Sequence, residues 1–153
     1  MTLSILEQRR IEAAFAKGIY AEMAAELGAE QARAILTRAV EKLAKQAAAE
    51  MAKESPTGPS LDHFVSLQPR WTKDDALEIE VVQHQGREYG FNVKRCRYAE
   101  TYKNMGLGEL GAVLSCNRDG AFCEGYDPKL KLTRTQTIMG GASHCDFRYV
   151  YEE

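Results

Sequence analysis

The stretch "LEIEVVQHQGREYGFNVKR", residues 77–95, decides the fold of this chain. Apolar and charged side chains alternate over residues 77–82, which is the period of a strand with one buried face. Gly86 lies in a short polar turn, and residues 89–95 alternate again. The stretch therefore predicts an antiparallel hairpin.

A second hairpin is predicted near the end of the chain. Residues 129–139 alternate, Gly140-Gly141 reverses the chain, and residues 145–151 form the last strand. Successive side chains of a strand point to opposite faces. The odd-numbered side chains of this strand therefore share one face: Cys145, Phe147, Tyr149 and Tyr151. His144 and Asp146 point the opposite way.

The segment between the two hairpins has a helical pattern. Residues 96–105 are predicted to form a helix that ends at Gly106, and residues 109–115 a second one that leads into Cys116. Residues 117–128 are rich in turn formers and are predicted to be a loop. A helical crossover between two hairpins gives four antiparallel strands.

The first half of the chain is helical. Two segments on either side of Gly28 carry apolar residues at a spacing near 3.6, and the second is rich in alanine. Two antiparallel helices joined at Gly28 follow, with small-residue faces that suit the core or a dimer. After a loop at residues 55–60, Ser60 is expected to cap a short helix that ends at Pro69.

These elements predict an α+β fold, in which an N-terminal antiparallel helix pair packs with a four-stranded antiparallel sheet and crossover helices. We expect a single domain over residues 1–153, made of a helical hairpin (residues 1–54) and an α+β portion (residues 61–153) that carries the site. The N-terminal helices are the expected contact of a homo-oligomer.

Composition excludes several classes of function. The chain has 153 residues, of which 44% are hydrophobic and 27% charged, and its net charge is -2. It lacks the basic surplus of a nucleic-acid-binding protein and any apolar run near the roughly 20 residues that cross a bilayer. The beginning, "MTLSILEQRRIE", has charges where a signal peptide would be apolar. We therefore expect a cytoplasmic protein without nucleic-acid or membrane partners.

Four cysteines are the most reactive groups: Cys96, Cys116, Cys123 and Cys145. In a reducing compartment they are expected to be thiols, and each could simply be a small buried side chain. A reactive cysteine needs a base or a positive group nearby to form its thiolate. Arg118, Arg134 and Arg148 are candidates, and they could also bind a substrate carboxylate through paired hydrogen bonds.

Three motifs together resemble the L-2-amino-thiazoline-4-carboxylic acid hydrolase family. They are Cys116-Asn117-Arg118-Asp119, the stretch "LTRTQTIMGGASHCDFRY" at residues 132–149, and "FNVKRCRYAETYKNMGLGELGAVLSC" at residues 91–116. The resemblance implies hydrolytic opening of a small cyclic amidine-like ring, with a heterocyclic substrate and no cofactor. It points to six site residues: Cys96, Cys116, Asp119, His144, Cys145 and Asp146.

Physical reasoning assigns roles to these residues. Cys116 is the preferred nucleophile, and Cys145 is the second candidate. Asp119 would activate water or protonate the leaving nitrogen, provided that burial raises its pKa. His144 is an alternative general base, oriented by Asp146. The substrate-binding set is completed by residues expected around the ring: Arg118, Arg134, Cys96, Trp71 and Tyr98.

Three alternatives stay open at this level. Asp119 could instead cap a turn through its backbone contacts. The side chains of Cys116, Cys123, Cys145 and His144 could form a zinc site. A non-catalytic domain could enclose a small ligand among aromatic residues, for which the candidates are Trp71, Tyr98, Tyr102 and Tyr126.

Overall fold

The computed structural model of the protein describes residues 2–153. Two long helices come first, α1 (Ile5–Leu27) and α2 (Ala29–Ala52). Gly28 between them has a φ of 91°, a conformation that favours glycine. The predicted helix pair is confirmed. Among residues 2–153, no helix is long and apolar enough to cross a membrane.

Two short helices lead to the sheet, α3 (Leu61–Ser66) and α4 (Pro69–Thr72). The hydroxyl of Ser60 accepts a hydrogen bond from the backbone N–H of His63 at 3.1 Å, so the predicted cap is confirmed. Helix α3 ends at Ser66, three residues before the predicted end at Pro69, and Pro69 instead begins α4, where its missing N–H costs nothing.

Four antiparallel strands form one sheet in the order β1-β2-β4-β3. The strands are β1 (Leu77–Gln85), β2 (Glu88–Cys96), β3 (Leu130–Thr133) and β4 (Cys145–Tyr151). The predicted α+β class is therefore confirmed. Strand β3 is shorter than the predicted residues 129–139, because the backbone N–H groups of Thr135 and Gln136 donate to the Asp146 side chain instead of to a neighbouring strand.

The connection between the hairpins differs from the prediction. Helix α5 (Arg97–Asn104) is present, but the π-helical turn Ala112–Cys116 runs directly into α6 (Asn117–Tyr126). The predicted loop at residues 117–128 is wrong, because α6 is held by close packing on α2. A Cβ at Gly125 would lie only 2.4 Å from the Lys45 carbonyl oxygen, so glycine permits this approach.

Two apolar clusters fill the interior. The larger one joins α2, α3 and α6 to the inner faces of β2, β3 and β4, and the smaller one joins α1 to α5 and the turn before α6. Ile5 and Ala13 are the buried residues of α1. Other apolar residues of that helix face outward, and Phe15 is 74% exposed.

Candidate active site

A cavity of about 120 Å³ lies between the two apolar clusters. One water molecule needs roughly 10–15 Å³, so the cavity can hold a small ring. Eight of the predicted site residues line it: Trp71, Cys96, Tyr98, Cys116, Arg118, Asp119, Arg134 and Cys145. His144 and Asp146 do not.

The helical wall of the cavity carries Cys116 and Asp119. Cys116 is the last residue of the π turn, and Asp119 follows three positions later in the first turn of α6. Residues three apart lie on one face of a helix. Turns of π-helix often occur at functional sites because they re-aim the side chains that follow. The alternative reading of Asp119 as a turn cap is wrong, since it lies within a helix.

Arg134 connects this helical wall to the sheet. Its Nη1 donates to Asp119 Oδ2 at 2.6 Å, and its Nη2 donates to the Cys116 carbonyl oxygen at 3.2 Å. The guanidinium carbon also lies 5.1 Å from the centroid of the Phe147 ring, a cation–π contact. Arg134 therefore fixes the carboxylate of Asp119 and neutralises it when it is ionised.

The carboxyl group of Asp119 has an unusual environment. Burial raises its pKa, and the neighbouring Arg134 opposes that shift. Its side chain is still 30% exposed, on the cavity side. A carboxyl group with a raised pKa exchanges protons more readily near neutral pH, which is the property required of a general acid or base.

The thiols are held in the protonated form. Burial raises the pKa of Cys116 to about 12 and that of Cys96 to about 11, and it also raises the pKa of Cys145. Cys96 caps α5 by accepting from Ala99 N, and the sulfur of Cys145 accepts from Ile138 N at 3.2 Å. A thiol here can act as a nucleophile only if a base removes its proton during attack.

Aromatic side chains, including Phe122 of α6 itself, form a second part of the lining, the aromatic wall. The Trp71 ring packs edge-on against Phe122 at 5.4 Å between centroids. The Tyr98 hydroxyl donates to the Trp71 carbonyl oxygen, so Tyr98 positions the segment that carries the indole. Phe91 and Phe147, stacked 4.9 Å apart, complete an apolar surface suited to a flat ring.

Arg9 of α1 lines the cavity although the sequence reasoning missed it. It lies four residues after Ile5 and four before Ala13, the two buried residues of that helix. An arginine in the middle of a buried helical stripe was the available signal. The more obvious apolar residues of α1 concealed it, because they face outward.

His144 and Asp146 lie on the other side of β4, as strand alternation predicts. Asp146 accepts hydrogen bonds from Thr135 N and Gln136 N, each at 2.9 Å, and from the Thr135 hydroxyl. His144 contacts Ser143 and Gln136. The two side chains do not bond to each other within the described chain. Their catalytic roles stay predictions, to which the cavity lends no support.

The zinc alternative fails on geometry. Among the side chains of residues 2–153, no three His, Cys, Asp or Glu groups come together closely enough to hold a metal ion. Cys123 lies in the larger apolar cluster rather than in the cavity wall. Of the four residues proposed as ligands, Cys116 and Cys145 line the cavity, whereas Cys123 and His144 do not.

Comparison with solved structures shows which folds are similar. The phenol-responsive sensory domain of the transcription activator PoxR, solved with phenol, has a TM-score of 0.55 and 15% identity, covering 91% of this chain and 73% of that one. A trafficking protein particle complex subunit 3 from Naegleria fowleri, covalently bound to palmitic acid, has a TM-score of 0.55 and 9% identity, covering 95% and 96%. At these identities the likeness is one of fold.

Comparison with curated proteins gave no match. The family model for L-2-amino-thiazoline-4-carboxylic acid hydrolase matches residues 8–149. That range contains every lining residue of the cavity and every residue of the three family motifs. The chain belongs to the L-2-amino-thiazoline-4-carboxylic acid hydrolase family.

Proposed function

We propose that the protein is a hydrolase that opens a small cyclic amidine or amide at a C–N bond within this cavity. The observation that carries the proposal is the pairing of Asp119, whose pKa is raised by burial, with Arg134 beside Cys116. The family match supports hydrolysis. The aromatic wall supports a flat heterocyclic substrate.

The first half-reaction forms a bond between Cys116 and the substrate. As the sulfur adds to the ring carbon, its proton passes to Asp119, because the pKa of this thiol is too high for a preformed thiolate. The protonated Asp119 then gives the proton to the ring nitrogen, and the C–N bond breaks. Arg134 stabilises Asp119 while it is ionised.

Water completes the cycle. Asp119 takes a proton from water as its oxygen adds to the same carbon, and the proton returns to the sulfur as the C–S bond to the enzyme breaks. The sum is one water consumed and one ring opened. Cys145, which lines the same cavity, is the second candidate for the nucleophile.

The test is turnover on a panel of thiazolines, hydantoins and cyclic ureas. Cys116→Ala is expected to lower turnover at least 100-fold, whereas Cys123→Ala, in the same helical region but outside the cavity, should retain it. A new free amine indicates C–N cleavage, and a new free thiol from a thiazoline indicates C–S cleavage. Full activity in Cys116→Ala would eliminate Cys116 as the nucleophile. If Cys145→Ala then loses turnover instead, Cys145 is the nucleophile.

A binding function without catalysis is the second candidate. It is favoured by the protonated thiols, and by the apolar wall of a fold that is similar to solved structures with phenol or palmitic acid bound. Trp71 is the sole tryptophan, so its fluorescence reports on this cavity. Saturable quenching by phenol, with no ring of the panel opened, would support binding over hydrolysis.

We also propose that two copies of the chain associate through α1. Three of its outward residues are symmetric about Phe15, with Ile11 and Ile19 four positions away on either side. A two-fold axis at Phe15 would pair each residue with its counterpart. Sedimentation should show a dimer that Phe15→Glu dissociates, whereas Val81→Glu, at an exposed site on β1, should not affect it.

A further inference from the structure

The charges that line the cavity do not balance. Three guanidinium groups line it, those of Arg9, Arg118 and Arg134, but Asp119 is the one carboxylate among the lining residues. Arg134 is already paired with that carboxylate. The positive charges of Arg9 and Arg118 therefore have no partner within the cavity wall.

A glutamate outside the wall occupies these two arginines. Glu12 accepts from Arg9 Nη1 at 3.2 Å and from Arg118 Nη2 at 3.0 Å. The side chains of Arg9 and Arg118 are only 16% and 14% exposed, whereas that of Glu12 is 47% exposed. The anion of this cluster is thus the group that can return to water at little cost.

Arg118 has a second contact that fixes its position, whereas the hydrogen bonds of the Arg9 side chain go to Glu12. Arg118 Nε donates to the Leu114 carbonyl oxygen at 2.7 Å, inside the π turn, and so stays in place whether or not Glu12 is present. The buried hydroxyl of Tyr102 has no hydrogen-bond partner. Arg9 and Arg118 lie near enough to that hydroxyl to act on its pKa. Neither guanidinium donates to that hydroxyl.

We propose that Arg9 and Arg118 form a subsite for the carboxylate of a small ring-containing acid, and that Glu12 occupies the subsite until such a ligand displaces it. The ring would then lie against the aromatic wall. The Arg134–Asp119 pair and Cys116 would remain free to face it. The inference rests on the proposed function in that it names the residues that would recognise the carboxylate of the substrate, but it concerns binding and needs no turnover.

Matched probes test the subsite. Benzoate and benzamide have the same shape, and they differ in the charge that Arg9 and Arg118 would recognise. Calorimetry at neutral pH should give benzoate about tenfold tighter binding, as a charge-assisted pair of hydrogen bonds implies. Equal affinities, or no heat from either probe at tens of millimolar, would overturn the proposal.

Variants separate the subsite from the catalytic residues. Glu12→Gln removes the competing carboxylate and should tighten benzoate binding several-fold. Glu7→Gln, whose partner Arg10 lies on the exposed side of the same helix, should have no effect. Arg9→Gln should abolish the preference for benzoate, and it leaves the Arg118–Leu114 contact intact.

The outcomes distinguish the two proposals. If benzoate is preferred and Glu12→Gln tightens it while no ring is opened, the subsite stands and the hydrolase proposal fails. If rings are opened but Glu12→Gln weakens benzoate binding, or Arg9→Gln leaves the preference unchanged, the subsite is wrong and the hydrolase proposal stands.

Discussion

Asp119 and Asp146 are held by consecutive residues, and their environments are opposite. Arg134 pairs with Asp119 inside the cavity, and Thr135 bonds to Asp146 on the outer side of the sheet. Burial raises the pKa of Asp119. At Asp146 a slight burial acts in the same direction, but the hydrogen bonds from Thr135 and Gln136 lower its pKa to about 2.

The difference shows what each carboxylate can do. A carboxylate that accepts several N–H and O–H hydrogen bonds is stabilised in its charged form, so it serves as an anchor rather than as a proton carrier. A carboxylate whose pKa is raised by burial, and which is bonded to a single arginine, exchanges protons more readily. The chain thus has one aspartate suited to chemistry and one suited to holding the segment before β4.

Exchanging each carboxylate for an amide gives the largest expected difference. Asp119→Asn should lower the rate of ring opening about 10²–10⁴-fold, because the amide cannot carry the proton between sulfur and nitrogen. Asp146→Asn is the matched control and should keep the rate within about threefold, since it lies outside the cavity. Equal losses of rate in the two variants would show that the position of Asp119 in the cavity does not give it a catalytic role that Asp146 lacks.

The helix that carries Asp119 can be displaced without touching the carboxyl group. Gly125→Ala would bring a Cβ to 2.4 Å from the Lys45 carbonyl oxygen, and backbone cannot yield as a side chain can. We expect a loss of about 3 kcal/mol in the free energy of unfolding, measured by urea denaturation.

Gly120→Ala is the control in the same helix, because nothing lies within 4 Å of the added Cβ. It should be neutral or stabilising by about 0.5–1 kcal/mol, the usual gain of alanine over glycine in a helix. If both variants destabilise equally, close packing of α6 on α2 is not what holds the cavity wall.

Removing Arg134, the cation that pairs with Asp119, should lower the free energy of unfolding less than Gly125→Ala does. Arg134→Met leaves a partly buried carboxylate without its partner and should lower the free energy of unfolding by about 2 kcal/mol at neutral pH. Arg87→Met breaks an exposed pair with Glu153 and should change stability by less than about 0.5 kcal/mol. The loss in Arg134→Met should shrink at low pH, where Asp119 is protonated. A loss that stays the same would show that Arg134 does not stabilise the protein by pairing with the charge of Asp119.

The sequence predicted the strands that alternate and missed features that depend on packing. Residues 145–151 form β4 as predicted, because one buried face imposes a period of two. That same alternation correctly separated Cys145 from His144 and Asp146. Helix α6 was missed because Gly120 and Gly125 are typical of turns, and only contact with α2 reveals why a glycine is needed.

The sequence predicted only part of the site, again because the rest depends on packing. The helical wall and Arg134 belong to motifs that could be read from the sequence. Arg9 could not be placed, because its neighbours Ile5 and Ala13 are less conspicuous than the outward-facing Phe15. Which stripe of an apolar helix turns inward depends on what the rest of the chain presents to it.

The smallest effect is the dependence of stability on pH, and here the two aspartates should differ in sign. An unfolded aspartate has a pKa of about 3.9. Because the pKa of Asp146 is about 2 in the folded chain, its contribution is complete above pH 4 and is lost as the pH falls toward 2. Asp119 has a raised pKa, so its contribution is greatest in acid and falls as the pH rises past 4. Asp146→Asn should cost about 1 kcal/mol at neutral pH and nothing near pH 2. Asp119→Asn should remove the decline in stability that develops as the pH rises above 4, in addition to any constant cost of the lost bond to Arg134. Urea denaturation from pH 2 to 7 measures both, and slopes of the same sign would show that the two carboxylates do not differ as the structure indicates.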